Sequence, residues 1–239
     1  MDKTLIVGAN RGIGLAFVKA RLARGDRVIG ACRQPEMPPL THERLTWVRL
    51  DVTDESSVAM AAATVRDTLG DLDRLIHTVG VLHGADFGPE KRLAHVEPDV
   101  LSRVFAVNAF GPLVVAKHFA RLLQHERRAV FAALSARVGS ITDNGLGGWY
   151  AYRASKAALN QFLKTLSIEW SRTSPRAIVV SLHPGTVDTD LSAPFQGRVP
   201  PEKLFSTERA VRQLLDIIEG LTPDDTGTFV AWDGTPIPW

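Results

Sequence analysis

The stretch Leu5-Ile6-Val7-Gly8-Ala9-Asn10-Arg11-Gly12-Ile13-Gly14 restricts the fold more than any other part of the chain. A short aliphatic run predicts a strand, the glycines predict a tight turn, and Ile13, Phe17, Ala20 and Leu22 predict the apolar face of a helix that follows. Strand, glycine turn and helix in that order open a nucleotide-binding βαβ unit. Glycine is needed there because the turn is tight and because the backbone must come close to a pyrophosphate seated on the helix N-terminus. The spacing is Gly-x-x-x-Gly-x-Gly, not the commoner Gly-x-Gly-x-x-Gly. Gly8, Asn10, Arg11, Gly12, Ile13 and Gly14 are therefore candidate cofactor-binding residues.

The rest of the chain continues the alternation. A second strand is expected at 27–32, followed by Arg33. An NAD-binding unit carries an Asp or Glu near this point to hold the ribose 2′-hydroxyl. Here there is none, and the guanidinium groups of Arg33 and Arg11 suit a phosphate, so NADPH fits better than NADH. A third strand at 45–50 leads to Asp51 and Val52, placed to touch an adenine ring, and Asp54 or Thr53 caps the next helix. A fourth strand at 72–79 ends at Gly80, and the polar loop 83–92 forms a rim above the strand ends. The stretch 96–124 reads as a long helix with Asn108 in its middle, distorted by Gly111-Pro112. A fifth strand at 129–134 runs into Ser135, and a sixth at 177–182 runs into His183-Pro184-Gly185-Thr186-Val187-Asp188-Thr189. Residues 190–205, with prolines, a glycine and two phenylalanines, have the composition of a hinged lid. A last helix at 207–219 and a seventh strand at 228–232 complete an α/β fold. The expectation is one Rossmann-type domain over 1–239, a doubly wound parallel sheet of about seven strands with helices on both faces.

Composition narrows the function classes. At 239 residues and 45% hydrophobic, the chain can bury a large core. A net charge of +2 with no basic patch argues against nucleic acid as a partner. The single cysteine, Cys32, excludes an internal disulfide and a cysteine-based zinc site, and His77 and His83 lack companions at ligand spacing, so no metal is expected. No signal peptide is evident at the start and no apolar run reaches membrane-spanning length, so a cytoplasmic address and no membrane partner are expected.

The chemistry concentrates around Tyr152-Arg153-Ala154-Ser155-Lys156. Leu159, Phe162, Leu163, Leu166 and Trp170 mark a helix from Ala151 onward, and on it Tyr152 and Lys156 lie one turn apart on one side. A nearby ammonium is expected to lower the phenol pKa toward the working range of a general acid or base. Upstream, Ser135 or Ser140 could hydrogen-bond a carbonyl oxygen.

Gly8-x-x-x-Gly12-x-Gly14, Asp51, Gly80, Asn108, the serine region at 135, Tyr152-x-x-x-Lys156 and Pro184-Gly185-Thr186, in this order, resemble the short-chain dehydrogenase/reductase family over essentially the whole chain. Gly139-Ser140-Ile141, Gly147-Gly148-Trp149-Tyr150 and the Trp232–Trp239 ending resemble its branch of small carbonyl reductases and C-factor-like signalling proteins. The resemblance implies that Tyr152 protonates a carbonyl oxygen as hydride arrives from nicotinamide. It implies that Lys156 holds the ribose, that a serine (expected to be Ser135) bonds the carbonyl, and that Asn108 holds a relay water. It places Pro184, Gly185, Thr186, Val187 and Thr189 along the cofactor, and implies a small carbonyl or alcohol substrate and a homo-oligomer. The lid phenylalanines and Trp149 suggest an apolar or aromatic substrate. Three positions depart from the family pattern. Val7 precedes Gly8, His77-Thr78-Val79-Gly80 replaces Asn-Asn-Ala-Gly, and Ala136 stands where the serine usually lies, leaving Ser135 one residue early. The alternative from another class is a regulatory protein that binds dinucleotide with little turnover.

Overall fold

The aliphatic runs become strands and the amphipathic runs become helices, alternating through most of the chain except between β2 and β3 and after β6. A computed structural model describes residues 1–239. Its strands are β1 (Lys3–Val7), β2 (Arg27–Cys32), β3 (Leu45–Arg49), β4 (Arg74–His77), β5 (Ala129–Leu134), β6 (Ala177–His183), β7 (Thr186–Val187), β8 (Leu204–Phe205) and β9 (Thr228–Ala231). Its helices are α1 (Gly12–Ala23), α2 (Glu55–Leu69), α3 (Pro98–Phe105), α4 (Gly111–Leu123), α5 (Tyr150–Thr173) and α6 (Thr207–Gly220). Seven strands make one parallel sheet in the order β3-β2-β1-β4-β5-β6-β9, and β7 and β8 pair separately. The strand order reverses between β1 and β4, the point where ligands bind in open α/β sheets.

Side chains alternate across each strand, so each face of the sheet buries its own set. Leu5, Leu75, Phe131 and Val179 pack against Val58, Phe119, Leu159 and Trp170 of α2, α4 and α5. Ile6, Val28, Ile76 and Val180 pack against Phe17, Leu214 and Ile218 of α1 and α6. The expected doubly wound arrangement is present.

Two local expectations need correcting. Strand β4 is shorter than 72–79 because the chain leaves the sheet at Thr78, whose hydroxyl donates to the Val7 carbonyl at 2.8 Å. The stretch Pro98–Leu123 does have the length and apolarity of a membrane span, contrary to the expectation that no run does. Inside the fold, however, Val115, Phe119 and Leu123 of that stretch lie in the core. The helix at 96–124 is also broken as Gly111-Pro112 suggested: a π turn over Ala106–Phe110 separates α3 from α4, with Asn108 at its centre.

Candidate active site

The C-terminal ends of the parallel strands carry nearly every residue singled out by sequence. After β1, Gly8 has φ +88°, and any side chain there would meet the Thr78 hydroxyl and Val79. A side chain on Gly14 would run into the Gly8 carbonyl, so α1 begins hard against the turn. No side chain caps α1, so its first-turn N–H groups point outward without side-chain partners. That cradle fits an anion, and the residues present suit a dinucleotide pyrophosphate. Asn10 and Arg11 are exposed on this turn, and Arg33 is exposed at the end of β2. Arg11 also pairs with Asp190 at 2.7 Å, which ties the glycine turn to the lid region. Asp51 accepts from the Thr53 N–H and hydroxyl, and Val52 packs against Gly111.

A cavity of about 310 Å³ opens between this turn and α5. Ile13, Ser135, Tyr152, Pro184, Gly185, Thr186, Val187 and Thr189 all line it, so these expected residues come together. Ala136, Arg137, Trp149, His183, Leu191, Ser192 and Phe195 complete much of the wall. Phe195 packs on Trp149 with ring centres 5.1 Å apart, and Trp149 meets Tyr152 edge to face at 6.2 Å. His83 reaches over from the rim loop to Phe195 and to the Asp190 carbonyl. The second lid phenylalanine does not join them. Phe205 is buried against Trp232 and beneath Gly185, whose φ of +78° and missing side chain make room for it.

Gly80, Asn108 and Lys156 lie behind Tyr152 rather than in the cavity wall. Gly80 brings its backbone close to both the Lys156 ammonium and the Asn108 side-chain oxygen. The Asn108 amide clamps the loop after β4: it accepts from the Val81 N–H and donates to the Val81 carbonyl, each at 2.8 Å, and also donates to the Ser155 hydroxyl. Lys156 donates to the Leu134 carbonyl at 2.9 Å. Burial lowers the lysine pKa to about 8 and raises that of Tyr152 to about 12. This corrects the expectation of a lowered phenol pKa: the ammonium is 5.9 Å from the ring centre, and burial alone sets the direction of the shift. A neutral phenol at working pH is a proton donor.

The serines divide differently from expectation. Ser135 directly follows β5 and donates its hydroxyl proton to Asn160 Oδ1 at 2.7 Å. The Ser140 hydroxyl is buried and accepts from the Asp143 N–H. Sequence reasoning passed over two residues that shape the site. Thr78 fastens the glycine turn, and its place in the Asn-Asn-Ala-Gly position was the available signal. Glu90 holds the start of α5, its carbonyl accepting from Trp149 N at 2.5 Å and its carboxylate from Ala151 N at 3.2 Å. No local signal marks Glu90, because its partners lie about sixty residues away.

Comparison with known proteins agrees with this geometry. Residues 2–198 match the family model for short chain dehydrogenase. A 1-hydroxy-2-glutathionyl-2-methyl-3-butene dehydrogenase of Rhodococcus sp. (strain AD45) is 31% identical over 239 residues, the full length of both chains. The C-signal protein of Myxococcus xanthus is 35% identical over 181 residues, 75% of this chain and 100% of that one. The fold superposes on an NADPH-bound carbonyl reductase from chicken fatty liver with a TM-score of 0.88 at 28% identity, covering 100% of this chain and 94% of that one. With the glycine turn and Tyr152 meeting at one cavity, and Lys156 and the π-turn asparagine directly behind it, this chain belongs to the short-chain dehydrogenase/reductase family.

Proposed function

We propose that the protein is an NADPH-dependent oxidoreductase that reduces an aldehyde or ketone to an alcohol. The observation that carries this reading is Tyr152, a buried neutral phenol in the wall of a cavity that also reaches the glycine turn. Bound NADPH supplies a hydride. Tyr152 gives its proton to the carbonyl oxygen as charge develops there. Lys156, one turn along α5 and held at the Leu134 carbonyl, supports the resulting phenolate electrostatically. The Asn108 side chain is spent on Val81 and Ser155, so it fixes the loop after β4 behind Tyr152 and Lys156. Arg33, with no carboxylate beside it, supports a 2′-phosphate on the cofactor. Trp149 and Phe195 favour an apolar or aromatic substrate under a lid formed by 190–205.

The test is NADPH oxidation with a panel of aldehydes and diketones, comparing the parent with Tyr152→Phe. A parent that turns over and a variant slower by about a thousandfold support the reading. NADPH fluorescence titration on the same proteins should show Tyr152→Phe binding like the parent and Arg33→Ala binding about tenfold more weakly. The similarity to C-signal and the alanine at 136 favour one second reading, a regulatory protein that binds dinucleotide with little turnover. A parent no faster than Tyr152→Phe with every substrate selects it.

A further inference from the structure

The cavity beside Tyr152 contains a polar group that nothing above uses. His183 ends β6 and lines the cavity next to Ser135, Ala136 and Tyr152. Its Nδ1 is buried without any hydrogen-bond partner. A buried polar atom left unpaired is costly, and natural structures keep few of them without a ligand or a function to satisfy them. The other polar side chains in the wall are committed. Ser135 donates to Asn160, Thr189 and Ser192 donate to the Val187 carbonyl, and Arg137 pairs with Asp143 at 2.9 Å. Position 136, where a hydroxyl would project next along the chain, is alanine. Apart from Thr186, expected on the cofactor side, and the remaining N–H groups of the half-exposed Arg137 guanidinium, the imidazole is the free donor.

We propose that His183 is the second hydrogen-bond donor to the substrate's carbonyl oxygen, acting beside Tyr152. The proposal rests on the reductase reading above. In the reduction, the carbonyl carbon accepts hydride from NADPH, its π pair moves onto oxygen, and that oxygen takes the proton of Tyr152, leaving NADP⁺ and alcohol. His183 keeps its proton throughout. Its N–H bond to the oxygen strengthens as negative charge builds, the condition for stabilising a transition state rather than a ground state. Burial, with Arg137 nearby adding to it and Asp233 opposing, holds the imidazole neutral, with a pKa of about 4. A neutral ring donates one N–H and does not compete with Tyr152 as an acid.

The experiment measures kcat/KM on the best carbonyl substrate for the parent, His183→Ala, Ser135→Ala and the double variant His183→Ala/Ala136→Ser, with NADPH titrations of each. The expected result is a loss of about a hundredfold in His183→Ala at parental NADPH affinity. The added serine should recover at least about tenfold of it, which a packing defect at 183 would not allow. A second readout is the ¹⁵N imidazole signal of His183 in the NADP⁺ complex, which should move when product alcohol is added. His183→Ala within about threefold of the parent overturns the proposal, as does a full loss in Ser135→Ala with His183→Ala unaffected. A parent with no turnover on any carbonyl overturns the reductase reading and this role together, whereas an active parent indifferent to His183 overturns this role alone.

Discussion

His77 shows what one buried side chain costs this fold. It ends β4 with its ring wholly buried, its Nε2 unpartnered and the Lys156 charge close by. Burial first, and the lysine second, lower its pKa to about 3 from an ordinary value of 6.5. The unfolded chain therefore takes up a proton near pH 6.5 that the folded chain refuses until about pH 3. Stability rises with pH wherever the unfolded state holds more protons, so it is full above pH 6.5 and falls progressively below it. The loss approaches about 5 kcal/mol at the acid end of the window. His77→Leu should flatten this acid limb, and urea melts at pH 7 and pH 4.5 would check it; an unchanged slope would mean that another group, His183 for instance, dominates. At this scale the sequence was readable where chemistry is local. The glycine turn and the Tyr152–Lys156 spacing declare themselves. The fate of the Ser135 proton does not, because Asn160 lies on a different element.

Among the elements, α5 is the one whose start is most constrained. It begins after Trp149, the only non-glycine residue with a positive φ, at +54°. A bulky residue in that region carries of the order of 1–3 kcal/mol of strain unless its surroundings impose it. Glu90 imposes it from both sides, binding Trp149 N and Ala151 N. Glu90→Ala should uncap α5 and lower stability by about 1 kcal/mol. The Trp149 N–H keeps its bond to the residue-90 backbone carbonyl in this variant, so tryptophan fluorescence and KM should stay near parental while the melt shifts; an unshifted melt would deny the carboxylate's part in the clamp. Strands β2 and β5 fall on the residues expected, since each is an apolar run bounded by charge or turn residues. Gly111-Pro112 announced a distortion but not its form, because whether a helix tightens or widens depends on what Asn108 must reach. The β7–β8 pair left no trace in the pattern, as two-residue strands sixteen residues apart have no period to detect.

On the scale of the molecule, the two ends of the sheet are chemically opposite. The C-terminal ends carry the site, and the N-terminal ends carry an ion network with no place in the chemistry. Arg21, 1% exposed, pairs with Asp26, Asp2 and Glu219, and Arg74 joins Asp2 and Glu219. The desolvation of such a network makes its net value modest, but removing one partner strands the others. Arg21→Ala leaves Asp26 buried without its guanidinium and should cost about 3 kcal/mol in a denaturant melt. NADPH affinity should stay parental, since the network is at the far end; equal losses of both would show the ends to be coupled. The Thr78 hydroxyl that fastens the glycine turn carries a different consequence, for the order of folding. Gly8 and Gly14 close around a side chain some seventy positions downstream, so the glycine turn lacks that packing partner while only the first βαβ segment has been made. The glycine turn is expected to close only after β4 is available to dock beside β1. The first element written in the chain is thus among the later ones to take its working shape, and a nascent chain shorter than β4 should be unable to retain dinucleotide.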